Sequence, residues 1–401
     1  MHPRSLILFF ALIFVLLQGL AHAAGESAAA HGLRISDTGT ILKDDKPYYG
    51  MGVNYMDAFT RCLKDGKDIS YREGFAILAE YDIPFARLNF GGFYPSEWKL
   101  YQGDPDAYFA LMDGVVRAAE ETGVGLVPSL FWWTACIPDL MGESRNQWGN
   151  PASETHAFMG RYVTDVVSRY KDSPAIWAWE FGNEYNLAAD LPNAKDSRPP
   201  NPVHKGCPPE RGPGDDLTSE MLRTALMAFG EAVRAIDPYR AITSGNSIPR
   251  PSSHHQHTEL SWANDNQEEF RGNLQFMTPD PLDLVSIHVY PHAREKRFGE
   301  DRVSYGTLFA EATRAAREGK KGLFLGEFGP PPDNKEPWTR ESARAEGEQL
   351  VAALLDSPVQ LAAFWVFDFA WQEKSMSVTT TNHRKGYLNI LQEANRQLAL
   401  R

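Results

Sequence analysis

One feature constrains this chain more than any other. Short apolar runs alternate, in order, with amphipathic stretches of helical period. The candidate strands are Gly50–Tyr55, Phe85–Phe90, Gly125–Phe131, Ile176–Glu184, Ala241–Asn246, Leu284–Pro291, Gly322–Gly329 and Leu361–Phe369. Between them, Asp106–Thr122 places Phe109, Met112, Val115, Val116 and Ala119 on one face and stops at Gly123. Ser153–Tyr170 repeats the pattern, and Asp216–Ala235, Ser304–Glu318 and Arg340–Asp356 follow. Parallel strands need helical crossovers, so the alternation predicts a parallel sheet of βα units. Eight repeats in order point to an α/β protein built as a (β/α)8 TIM barrel, rather than an open doubly wound sheet. No GxGxxG turn follows the first strand, which weakens a dinucleotide-binding reading.

Residues 24–401 then read as one catalytic-size domain, within the range of barrels with insertions. Leu33–Tyr49, with turn signals at Asp37-Thr38-Gly39 and Asp44-Asp45, predicts a small hairpin that plugs the barrel bottom. Two long connections, about 187–216 and 247–272, follow strands four and five, so both fall on the C-terminal face where barrels build their sites. Cys62, Cys136 and Cys207 follow strands one, three and four and belong to that face. They allow one disulfide with a free thiol, or free thiols only, and their spacing matches no zinc motif.

Ahead of the fold, Arg4, the apolar run Ser5–Leu20 and Ala21-His22-Ala23 make a secretory leader over 1–23, cut after Ala23. The expected product is secreted or periplasmic, with no membrane contact once the leader is gone. The formal net charge is −12 and no basic stripe is present, which argues against nucleic acid and anionic lipid as partners. A neutral glycan meets no electrostatic penalty. The reading is a monomer without a cofactor.

Two segments carry chemistry. Trp179-Glu180-Phe181-Gly182-Asn183-Glu184 closes strand four, and alternation puts Glu180, Gly182 and Glu184 on one face. Leu325-Gly326-Glu327-Phe328-Gly329 closes strand seven with a lone carboxylate in an apolar strand. A buried carboxylate is expensive unless paired or functional. Two carboxylates at strand tops suit glycoside hydrolysis, in which one acid protonates the leaving oxygen and a second carboxylate attacks the anomeric carbon or activates water.

With these motifs in hand, the sequence resembles glycoside hydrolase clan A, most closely family 5, the cellulase and β-mannanase family. Asn183-Glu184 matches the family's Asn-Glu pair, and Glu327 in Gly-Glu-Phe-Gly matches its nucleophile. His288 and Tyr290 match its His-x-Tyr on strand six, Arg87 its strand-two arginine and Trp365 its strand-eight tryptophan. The resemblance implies a retaining glycosidase with Glu184 as acid/base and Glu327 as nucleophile. It implies that Tyr290 and Arg87 bond Glu327, His288 contacts Glu184 or the sugar, and Trp365 stacks on a sugar face. Glu184 is then expected to be the higher-pKa carboxyl of the pair. Tyr170-Lys171-Asp172-Ser173-Pro174 and the tryptophans Trp132 and Trp133 resemble β-mannanases, so β-1,4-mannan is the first substrate and β-1,4-glucan the second. Tyr185-Asn186, standing where mannanases carry Pro-Arg, departs from that pattern.

Competing readings attach to several residues. Glu180 reads as a hydrogen-bonded residue lower in the barrel. Asn54 and Asp57 sit where substrate contact is possible, and Trp148 and Trp371 read equally as core or platform. The run His254-His255-Gln256-His257 suggests metal by composition, but no carboxylate stands at ligand spacing, so it reads as a solvated loop. Transglycosylation on the same site and a non-catalytic glycan-binding barrel are the alternative functions.

Overall fold

The computed structural model describes residues 32–401. The expected leader 1–23, and residues 24–31 after it, lie outside the described residues. Eight parallel strands form a closed barrel: Gly50–Asn54, Phe85–Asn89, Gly125–Phe131, Ala178–Gly182, Ala241–Thr243, Leu284–Val289, Gly322–Phe328 and Leu361–Phe364. These are barrel strands one to eight, each bonded to the next, with the eighth closing on the first.

The helices of the outer layer start and stop where the sequence dictates. Asp104 caps Pro105–Thr122 by accepting from the Ala107 amide, Pro105 takes the first turn where its missing N–H costs nothing, and Gly123 leaves it at φ 72°. Ser153, Thr218 and Ser304 cap Glu154–Tyr170, Ser219–Arg234 and Tyr305–Glu318 in the same way. Each such cap contributes about 1 kcal/mol. Tyr71–Glu80 and Gly386–Leu398 are helices that the apolar pattern did not announce.

The N-terminal segment plugs the bottom, as its turn signals predict. Leu33–Ile35, Ile41–Lys43 and Lys46–Pro47 form an antiparallel sheet. Leu33 and Ile41 pack into an apolar cluster with Phe85, Val127, Ala178, Leu284 and Phe324, all near the strand starts. The Leu33 amide donates to the Trp177 carbonyl at 2.7 Å.

Two expectations need correction. The connection over 247–272 is not a bare loop: it contains the helix Ser253–Glu259 and the start of Gln267–Phe276. The histidine run lies on the first of these helices. His255 Nδ1 stands 2.9 Å from Asp265 Oδ1, so tertiary folding supplies the carboxylate that linear spacing lacked. Of the two alternatives for the cysteines, the structure has free thiols: Cys62, Cys136 and Cys207 are all unpaired and buried. Among the described residues, no helix is long and apolar enough to cross a membrane.

Candidate active site

Two local backbone devices aim the carboxylates. On strand seven the register slips at Gly326, so that Glu327 rather than Gly326 faces His288. A β-bulge of this kind re-aims a side chain, and a Cβ on Gly326 would stand 2.8 Å from His288 Nε2. Just past strand four, Glu184 takes a left-handed conformation at φ 55°, with its amide bonded to the Gly245 carbonyl at 2.9 Å. A non-glycine residue held there carries strain of order 1–3 kcal/mol, which the surroundings must offset.

Arg87, fully buried on strand two, ties the floor together. Its Nε donates to both Glu180 oxygens at 2.8 and 3.0 Å. Its Nη1 reaches Asn54 Oδ1 and Glu327 Oε1, each at 2.9 Å, and its Nη2 reaches Asn183 Oδ1 at 2.8 Å. The Trp132 ring covers the guanidinium at 4.5 Å. Glu180 therefore sits below the mouth as a structural counter-ion, in agreement with its sequence reading. Tyr290 donates its hydroxyl to Glu327 Oε2 at 2.7 Å. His288 Nδ1 lies 3.0 Å from Glu184 Oε1 and 3.6 Å from Glu327 Oε1. One oxygen of Glu184, one of Glu327 and a ring nitrogen of His288 all lie within 4.8 Å of one another.

These contacts set the charges. Burial raises the Glu327 carboxyl above its ordinary value, and the Glu184 charge adds to that, while His288, Arg87 and the Tyr290 hydroxyl offset part. Burial also raises Glu184, but its hydrogen bond to His288, the His288 charge, Ser247 and Arg87 together outweigh it, so Glu184 ends lowered. This reverses the expected order. The cause is geometric: Glu184 is 31% exposed to the cleft and takes the shorter His288 contact, whereas Glu327 is 5% exposed and shares Arg87 with Glu180.

A cavity of about 1000 Å³ opens above the pair, lined by Trp132, Asn183, Glu184, Tyr290, Glu327 and Trp365 among others. Thus Glu184, Glu327, Asn183, Tyr290, Trp365 and Trp132 meet in one cleft, with Arg87 and His288 directly beneath. Trp133 does not line it; its ring stacks on Phe93 at 5.8 Å with an interplanar angle of 4°, and Phe93 is the lining residue. Trp148 is core, whereas Trp371 is 83% exposed on the cleft edge. Sequence reasoning missed Phe93, Tyr94, Trp338 and Phe369 as lining groups. An aromatic residue just past a strand end is the signal that was available for Phe93 and Tyr94.

Tyr185-Asn186, the departure from the mannanase pattern, has a structural role. The buried Tyr185 donates its hydroxyl to the Phe131 carbonyl at 2.7 Å. Asn186 exchanges two bonds of 2.9 Å with the Ser247 backbone and joins the loops after strands four and five. Two groups among the described residues offer metal-ligand atoms at close range: Glu184, His288 and Glu327, and His255, Asp265 and Glu269. In the second group the carboxylates already serve the backbone. Asp265 accepts from the His254 and His255 amides, and Glu269 accepts from the Asn266 amide.

Comparison with known proteins agrees with this architecture. A probable mannan endo-1,4-beta-mannosidase C of Aspergillus terreus is 31% identical over 144 residues, 33% of this chain and 30% of that protein. A probable mannan endo-1,4-beta-mannosidase F of Emericella nidulans is 25% identical over 255 residues, 59% of this chain and 48% of the relative. The chain thus spans less than half the length of these curated relatives. The crystal structure of the endo-1,4-beta-mannanase from Rhizomucor miehei superposes with a TM-score of 0.64 at 16% identity, over 92% of this chain and 100% of that one. The model of the family described as Cellulase (glycosyl hydrolase family 5) matches residues 66–368, most of the chain, and the protein belongs to glycosyl hydrolase family 5.

Proposed function

We propose that the protein is a retaining β-glycosidase that cleaves β-1,4-mannan internally, with β-1,4-glucan as its second substrate. The observation that carries the proposal is the pair Glu184, just past strand four, and Glu327, on strand seven, with carboxylate oxygens within 4.8 Å at the base of an aromatic cleft. Retaining enzymes hold their carboxyls about 5 Å apart, too close for a water to lie between nucleophile and sugar.

In this mechanism a sugar ring rests on Trp365 with its anomeric carbon above Glu327. Arg87 and Tyr290 hold one Glu327 oxygen each, which fixes the carboxylate for attack and favours its charged form. Glu184 donates a proton to the glycosidic oxygen as Glu327 bonds to the anomeric carbon and the leaving sugar departs. The two carboxyls and His288 form one coupled set, so the proton's location belongs to the set. A sugar that replaces water around the half-open Glu184 raises its carboxyl, while the cationic and hydroxyl donors on Glu327 keep the charge there. Proton transfer to the leaving oxygen leaves Glu184 ionised, and with Glu327 neutralised by glycosylation it stays so and deprotonates the water that releases the sugar. Asn183, fixed by Arg87, is positioned to bond a ring hydroxyl.

The mannan assignment draws on the activities named for the fungal relatives and the Rhizomucor enzyme. The test is a panel of β-mannan, glucomannan, carboxymethylcellulose, xylan and β-1,3-glucan, followed by reducing-end release and product length. Rapid release of mixed oligosaccharides from mannan is expected. If well-folded protein cuts neither mannan nor glucan, the substrate reading fails.

A further inference from the structure

We propose that Asp57 is a sugar-binding carboxylate that reads the unit preceding the scissile one and selects neutral hexoses there. The proposal rests on the glycosidase reading above and adds a binding residue to it.

Asp57 follows strand one and is 7% exposed, yet it lines the cleft. Only one of its oxygens is used by the protein. Arg61 grips Oδ1 from Nε at 3.0 Å and from Nη2 at 2.8 Å. Oδ2 has no hydrogen-bond partner among the described residues, and it is not among the sealed-off polar atoms, so it opens on the cavity. A mostly buried carboxylate with one bare oxygen is costly unless a ligand supplies donors.

The aim of that oxygen is fixed from behind. Arg61 Nη1 donates to Asp368 Oδ2 at 2.7 Å, Nη2 donates to the Asp368 carbonyl, and the guanidinium lies over the Tyr55 ring at 5.3 Å. Arg61 therefore clamps the ends of strands one and eight together and presents Asp57 as a rigid acceptor.

Position in the barrel identifies the subsite. Asn54, at the end of strand one, bonds Arg87 at the level of the catalytic carboxylates. Asp57 lies further along the same connection, as Asp368 lies beyond Trp365. Strands eight and one are opposite strand four, where Glu184 must stand beside the leaving group. Asp57 thus belongs to the donor side, one sugar beyond the ring over Trp365. A carboxylate there accepts charge-assisted bonds from hydroxyls and repels a uronic acid.

The test compares an aryl β-mannoside with the aryl β-mannobioside bearing the same leaving group, or the glucose pair if that is the series turned over. Asp57→Asn should cut kcat/KM for the bioside by about 10- to 100-fold, as loss of a charge-assisted hydrogen bond does, and change the monoside by under about twofold. A bioside whose distal unit is oxidised at C6 to the uronate should be a poor substrate for wild type, and Asp57→Asn should narrow that discrimination. Equal changes on monoside and bioside, or no change on either, overturn the proposal. If Asp57→Asn does not fold, the wild-type arm decides, because equal kcat/KM for the neutral and uronate biosides also overturns it. A folded wild type that turns over no aryl glycoside of either series defeats the glycosidase reading itself, and this proposal with it.

Discussion

Near the bottom of the barrel, Phe85, Val127, Ala178 and Leu284 point inward and close on Leu33 and Ile41. Two residues further along the same strands, on the same inward face, stand Arg87, Ser129, Glu180 and Ser286. The lower layer is stabilised by apolar area. The upper layer buries a guanidinium against two carboxylates, which adds little net stability and is retained for what it holds in place. Among the described residues it also leaves Asn89, Ser129 Oγ and His288 Nε2 without protein partners, and no residue of the plug has such a group. The inward face of these four strands thus changes from an apolar packing surface to a polar and charged one within a single step of the pleat.

Substitutions at the two levels should separate activity from stability. The largest expected effect is at the top: Glu184→Gln should lower kcat/KM on polysaccharide by about 10²–10⁴-fold, the span of general acid catalysis, with little change in Tm. An aryl glycoside with a strongly acidic phenol, which needs no proton on departure, should suffer much less. If both substrates fall equally, the acid role is misassigned. Arg87→Met should damage both properties. It strands Glu180 and Glu327 as buried charges, at a cost of about 3–5 kcal/mol in denaturant unfolding. A stable Arg87→Met protein would mean that the carboxylates are neutral in the resting site.

At the bottom the outcome should invert. Phe324→Ala, beneath Phe85 with ring centroids 6.2 Å apart, should cost about 3–5 kcal/mol and leave kcat/KM of the folded protein nearly unchanged. A catalytic defect without a stability defect would break the contrast between the two ends.

The smallest effect concerns pH. The folded Glu327 carboxyl is raised above its unfolded value, so its ionisation near neutrality favours the unfolded chain, and that cost vanishes below the unfolded value. Glu327→Gln should therefore be at least as stable as wild type at pH 7, with the gain shrinking toward pH 4. Glu184, lowered in the fold, has the opposite sign: it contributes stability above its unfolded value that is lost as pH falls through the folded one. Denaturant titrations of Glu327→Gln and Glu184→Gln at both pH values would check the two signs.

The sequence made the barrel legible because the strand runs were apolar and the helices Pro105–Thr122, Glu154–Tyr170, Ser219–Arg234 and Tyr305–Glu318 each carried an apolar face with a cap. Its failures have local causes. Gly74 interrupts Tyr71–Glu80 and weakens the helix pattern, yet a Cβ there would stand 2.2 Å from the Tyr55 hydroxyl, so tertiary packing demands the glycine. Strand five was read too long because Ser244-Gly245-Asn246 continues the run, whereas Gly245 turns the chain at φ 70°. The two glutamates, Arg87 and Tyr290 were readable from motifs at strand ends. The order of the carboxyl pKa values was not, since it depends on which carboxylate His288 approaches more closely across the barrel.

Azide rescue of two alanine variants on an activated aryl β-glycoside tests the central assignment most directly. With Glu327→Ala, azide should restore turnover and yield the α-glycosyl azide, because it attacks the anomeric carbon from the face the nucleophile has vacated. With Glu184→Ala, azide should yield the β-azide, because the covalent intermediate still forms on Glu327. Exchange of these two stereochemical outcomes, or rescue of neither variant in folded protein, would contradict the account.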